Sequence, residues 1–311
     1  MTIILTNCTN RKKGVVDAEL RQEFLVSGTI DFVAQQWLAK LKNADAKKPA
    51  REIYCGRGFR ESEASSLALS CPLYVVSAGL GIVNADMLVP VYDLSAVSSD
   101  GDSALCKVDG NKSPKLWWSK IITENSFGSS LTNILNKHPN ELILFALSRC
   151  YLNLLQDELL LCPQPQQARL RFFGKNLYSA LPSFLTDNWM PYDDRLDGIG
   201  QGFSGTQSDF AQRALRHFVS KILSESKDSN KHRHSSMVLN SLSSITKREI
   251  PKRQRLDEKE ISKVIQDNWV KGKGQSSLLL RIIRDELNIA CEQSRFKKIY
   301  HSVRNTIGEA S

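Results

Sequence analysis

The strongest chemical feature of this chain is acidic residues set in loops beside proline, tyrosine and glycine. Asp93 follows Val89, Pro90, Val91 and Tyr92, and Asp193, Asp194 and Asp197 follow Pro191 and Tyr192. Carboxylates in such loops face a ligand rather than a core, where they can stabilise positive charge, orient a water or act as general acid and base. Capping of turns, or pairing with Arg195, is the structural alternative for each. Adjacent residues of an extended loop point in opposite directions, so Asp193 and Asp194 make a poor Mg²⁺ site, and no metal is expected. Cys8 directly follows an apolar run, and His217 is the one histidine in the region 190–218. Together they supply the residue types of a thiol nucleophile and its base, but a small pocket-lining role suits Cys8 better. The glycine-containing stretches 77–81 (SAGLG) and 198–202 (GIGQG) resemble phosphate-cradling loops only loosely. Neither is a Walker motif or a GxGxxG between strand and helix, which excludes P-loop hydrolysis.

These residues need a frame. Three short apolar runs, 2–6 (TIILT), 73–77 (LYVVS) and 142–147 (LILFAL), lack polar alternation, the pattern of strands buried on both faces. Between them, helical spacing appears over 17–41, 61–69 and 131–136, and strands alternating with helices predict an α/β fold with a mostly parallel sheet flanked by helices. If the three strands are parallel neighbours, their exit loops converge on one pocket at the carboxyl edge of the sheet. Those loops hold Cys8, Thr9 and Lys12, then Ser77 and Gly79, then Ser148 and Arg149. After a Pro- and Gln-rich break at 162–167, the basic aromatic stretch 169–175 (RLRFFGK) suits an extra strand. A helix is predicted from Ser208, its N-cap, with Asp209 in the first turn.

Charge divides the 311 residues unevenly. The net charge is +9, and residues 221–311 hold 19 Lys and Arg against 11 Asp and Glu, a net +8. A near-neutral body with a basic appendage reads as a recognition or catalytic domain carrying a polyanion tether. The boundaries read as an α/β domain over 1–223, a flexible basic linker over 224–255 with solvated His232 and His234, and a small all-helical module over 256–311. The module carries Lys271, Lys273, Arg281, Arg284, Arg295, Lys297 and Lys298, and suits nucleic-acid binding; a helical protein-interaction cap is the alternative. Seven scattered cysteines without CxxC spacing argue against a disulfide framework or zinc site. No apolar run reaches ~18 residues and the N-terminus lacks signal-peptide order, so a cytoplasmic protein without membrane contact is expected.

The order of four short motifs carries a resemblance. They are 5–12 (LTNCTNRK), 50–59 (AREIYCGRGF), 73–81 (LYVVSAGLG) and 89–94 (VPVYDL). Over residues 1–150 the chain resembles a bacterial family of domains distantly reminiscent of the YaaA proteins. That family shows an early Cys with nearby Lys, an Ala-x-Glu-Leu-Tyr segment, a strand ending Ser-Ala-x-x-Gly-Leu, and Pro-Tyr-Asp. Here Ile53 replaces the usual Leu, and Val91 stands between Pro90 and Tyr92. The layout is also similar to anti-phage DNA glycosylases that excise glucosylated hydroxymethylcytosine.

The resemblance implies handling of a nucleobase in DNA, and base excision without a cofactor. Cleaving an N-glycosidic bond builds positive charge on the sugar, which a carboxylate stabilises while a donor assists the departing base. Asp93, Asp193 or Asp194 suits the first role, and Arg195, Arg149 or His217 the second. Tyr92 or Phe59 suits stacking on a base turned out of the duplex. Two other readings stand beside this one: a hydrolase or transferase of free nucleosides or nucleotides, and a non-catalytic DNA-binding or stress protein.

Overall fold

Strands buried on both faces need helices above and below them. The computed structural model, which describes residues 1–45, 48–96, 103–226, 230–247 and 253–309, supplies both layers. The central sheet contains β1 (Thr2–Asn7), β2 (Leu73–Ser77), β3 (Gly81–Asn84), β4 (Leu142–Ala146) and β5 (Leu170–Phe173), in the order β3-β2-β1-β4-β5. All neighbours are parallel except β2 and β3, which form a hairpin. The three apolar runs are therefore adjacent parallel strands, and the basic aromatic stretch is a fourth. Ile3, Ile4 and Leu5 of the central strand are fully buried.

The helices that cover the sheet are α1 (Ile30–Lys42), α2 (Arg57–Ala68), α3 (Pro114–Thr123), α4 (Leu131–Lys137), α5 (Arg149–Leu154) and α6 (Phe210–His217). Helix α2 packs against α6 and β1, while α1 packs against α3, and α3 against α5. The helix expected from residue 17 begins at Ile30: Thr29 caps it through the Phe32 amide, and two 3₁₀ turns precede it. The helix expected from Ser208 begins at Phe210 behind a 3₁₀ turn, where Thr206 and Asp209 form a reciprocal capping box.

The chain divides into two compact units, Met1–Lys247 and Arg248–Ser311. The expected linker is corrected in part. Helix α7 (Lys231–Leu242) belongs to the first unit, because Val238 and Leu242 are fully buried in its core and His234 stacks edge-on against Phe218. Its buried residues at 234, 238 and 242 recur every four positions, a period masked by the polar residues around them. Residues 227–229 and 248–252 lie outside the described residues.

The second unit contains α8 (Glu258–Asp267), α9 (Ser276–Arg281, continuing as a π turn to Glu286) and α10 (Gln293–Glu309). Its core includes Ile261, Ile265, Leu279, Ile283, Phe296 and Val303. A two-residue parallel ladder, Gln254–Arg255 with Ile289–Ala290, adds strand to a module expected to be all helical. Among the described residues, no helix is long and apolar enough to cross a membrane.

Candidate active site

The chain leaves β1 toward β2 on one side, and β4 lies on the other with β5 beyond it. The strand order therefore reverses between β1 and β4, the place where open α/β sheets bind ligands. The two exits are tied across that gap. Asn7 Oδ1 accepts the Ser148 amide at 3.2 Å and Gln212 Nε2 at 3.0 Å, and Cys8 Sγ lies 3.0 Å from the hydroxyl of Tyr151 on α5. Gln212 comes from α6 and also donates to the Ala146 carbonyl. Neither Tyr151 nor Gln212 is a sequence-predicted site residue, although Tyr151 lies in the exit segment of the third apolar run and Gln212 in the chemistry-dense stretch 190–218.

Behind this junction three phenols are buried. Ser77 Oγ accepts the amides of Gly79 (3.2 Å) and Leu80 (3.0 Å), which fills its two acceptor positions. Its proton therefore goes to Tyr92 at 2.5 Å, and the Tyr92 hydroxyl donates to Tyr54 at 2.9 Å. The Tyr54 O–H is left to donate onward. Burial, with Cys8 as an added charge, holds Tyr54 and Tyr151 well above the usual phenol pKa; burial, then Tyr54 and Cys8, does the same for Tyr92. All three stay protonated as donors. Gly79 allows this packing, since a Cβ there would stand 3.0 Å from Tyr92 and 3.2 Å from Trp37. Ser77 and Gly79 thus hold Tyr92 rather than a substrate. Ser77→Ala orphans two buried amides and costs about 1–3 kcal/mol in urea unfolding.

Lys12 and Asp93 stand on the open side of the phenols. Lys12 pairs through its backbone with Tyr54, and the Lys13 amide donates to the Ile53 carbonyl at 2.7 Å. Its Nζ lies 4.2 Å from the centre of the Tyr92 ring. Asp93 is fixed on both main-chain sides: its amide donates to Leu20 and its carbonyl accepts from Gln22. Alternation along the extended stretch buries Tyr92 and Leu94 and turns Asp93 outward. Lys12 and Asp93 both line a cavity of about 460 Å³, together with Asn10, Arg21, Ser95 and Lys107. Among the described residues the Asp93 carboxylate carries no hydrogen bond. Burial pushes the Lys12 ammonium below its usual pKa, against the opposing pull of Cys8, Asp93 and Cys55.

Other expected site residues lie elsewhere or are already engaged. Asp193 accepts from the Arg195 backbone (3.0 Å) and Nε (2.9 Å), with Lys247 at 3.9 Å. Burial alone would raise its pKa, but these partners hold it below the usual carboxylate value. Asp194 pairs with Lys175 at 2.6 Å, just past β5. Neither lines the cavity of Asp93. Tyr92 ties Asp93 to β2, and β5 is three strand spacings away, roughly 14 Å. The three aspartates expected as alternatives for one role thus do not share a cavity, and Arg195 is spent on Asp193 and on the Leu242 carbonyl.

His217 is a core histidine. Its Nδ1 meets the Tyr192 hydroxyl at 2.9 Å, it is 2% exposed, and burial with the charge of Lys221 pushes its pKa down to about 4. It serves neither Cys8 nor a leaving base. Below pH 6.5 the unfolded chain binds a proton that folded His217 refuses until about pH 4. Stability should therefore fall through that window by up to ~1.4 kcal/mol per pH unit, and acid titration of His217→Phe should flatten the slope. Tyr92 and Phe59 are 0% and 2% exposed, so neither is available to stack on a base. Thr9 is absorbed in its own turn, donating to Arg11 and accepting from the Cys55 amide. Ser148 begins α5, and Arg149 beside it is exposed.

In the second unit Lys271, Lys273, Arg281, Lys297 and Lys298 are exposed, and Lys271 is paired with Glu286. Arg284 and Arg295 are different. They line a cavity of about 670 Å³ with Arg253 and Arg255, two residues whose composition suits the linker. Main-chain carbonyls pre-set three of these guanidinium groups: Arg253 donates to Arg284, Arg284 to Cys291, and Arg295 to Leu256. The short ladder brings residues 253–255 against 288–290, a proximity no local pattern encodes.

No family model, curated protein or solved structure matches the chain.

Proposed function

We propose that the first unit cleaves the N-glycosidic bond of a base, in keeping with the modified-base DNA glycosylases that the sequence resembles, and that the second unit grips the DNA. The observation that carries this reading is Asp93: an outward carboxylate that carries no hydrogen bond among the described residues, on the wall of a cavity that also holds the amine of Lys12 and the cations of Arg21 and Lys107. The cavity is within the ~300–1,000 Å³ of ligand pockets. Positive charge growing on a deoxyribose beside Asp93 is stabilised by the carboxylate, and the cations receive the flanking phosphates and the departing base. With Asp193, Asp194 and His217 engaged elsewhere, the reaction rests on Asp93.

Phosphate contacts supply affinity without sequence preference, and pre-set guanidinium groups suit them. Arg253, Arg255, Arg284 and Arg295 therefore form the proposed DNA contact of the second unit. Replacing Arg253 and Arg255 by alanine should weaken binding to any duplex and flatten the dependence of log K on log salt by about 0.9 for each phosphate that is no longer neutralised. Unchanged slope in fluorescence anisotropy would remove these residues from the interface. The activity itself is tested by incubating the full chain with phage DNAs carrying modified cytosines and identifying released bases by mass spectrometry. DNA binding with no base released from any of them favours the non-catalytic reading.

A further inference from the structure

The cavity presents an amine as well as a carboxylate. Lys12 Nζ rests on the face of Tyr92, its Cα is fixed by the bridge to Tyr54, and Asp93 shares its wall. Cys8 is 5% exposed, lies behind this wall and is already engaged with Tyr151. Arg21 is a permanent cation and cannot attack carbon. We propose that the Lys12 amine is the nucleophile of the base-excision reaction, joining the DNA through C1′ of the sugar. This inference rests on the base-excising reading of the cavity and names its attacking group, in place of water. Partial burial, which weakens proton binding at Lys12, supports it by increasing the fraction of free amine.

The step balances with groups at hand. The Nζ lone pair forms a bond to C1′ while the C1′–N bond to the base breaks, and its electron pair leaves with the base. One amine proton passes to the base through Asp93. The Nζ lone pair then forms C1′=Nζ as the C1′–O4′ bond opens and its pair leaves on O4′, and the remaining N–H proton passes to O4′. The product is a free base and an imine between Lys12 and the opened sugar. Water hydrolyses the imine to an abasic aldehyde and restores the amine.

Because the imine forms equally from an abasic aldehyde, its test needs no knowledge of the base. The full chain is incubated with a duplex oligonucleotide containing one abasic site, in the presence of sodium borohydride, whose hydride reduces C1′=Nζ to a stable amine. The expected result is a covalent protein–DNA adduct that fragment mass spectrometry places on Lys12. Lys12→Arg should lower its yield at least tenfold, and Lys13→Arg, at the neighbouring exposed lysine that does not line the cavity, should leave it intact. No adduct, or an adduct mapped to Lys107 or any other lysine, overturns the proposal. Bases released from modified DNA without an adduct would sink the amine alone and leave water as attacker. Absence of base release from every DNA would sink the parent reading.

Discussion

Asp93→Asn should lower base release by at least about a hundredfold, because it removes the charge that faces the sugar while keeping the side chain's shape. The segment that carries Asp93 is held by main-chain bonds to Leu20 and Gln22, so the asparagine variant should unfold at the wild-type urea concentration. Loss of rate with stability intact separates chemistry from folding. Asp193→Asn and Asp194→Asn provide the contrast. They loosen pairs with Arg195 and Lys175 and should leave base release at the wild-type level. Equal losses from all three variants, measured as released base per unit time, would contradict the assignment of the reaction to Asp93.

Arg213→Met should be among the most destabilising single changes, at about 3–5 kcal/mol. Arg213 is 1% exposed and organises the whole loop before α6. It pairs with Asp209 at 2.8 Å and Asp197 at 2.6 Å, and donates to the carbonyls of Phe203 and Thr206. Methionine fills similar space but leaves two carbonyls without this donor and the buried Asp209 carboxylate with only the Thr206 amide and Arg57, at 3.7 Å. A shift in urea midpoint below about 1 kcal/mol would show that the loop relaxes into solvent instead. Adding Asp209→Asn to the variant should recover part of the loss, since the buried charge that has lost its main partner is then gone.

The same cluster explains which features are legible in the sequence and which are not. Buried strands announce themselves because continuous apolar runs have few other uses, and the conditional expectation of converging exit loops follows once β2, β1 and β4 are parallel neighbours. Residues 190–218 look dense in chemistry for an equally physical reason: a buried arginine needs carboxylates and carbonyls around it, and that demand resembles a catalytic cluster in composition. Only the pairing of Asp193 with Arg195, Asp194 with Lys175, and Asp197 and Asp209 with Arg213 tells the two apart. Asp93 has no such partner within hydrogen-bond reach among the described residues. The phenol chain is hidden because Tyr54, Ser77 and Tyr92 come from three distant segments. Arg253 and Arg255 are hidden because their polar surroundings have the composition of a linker.

Backbone bonds pin the segments that present Lys12 and Asp93, and they also hold Ser95 through the Ala104 amide and Lys107 through the Gly28 amide. A wall preset in this way loses little conformational freedom when a ligand enters.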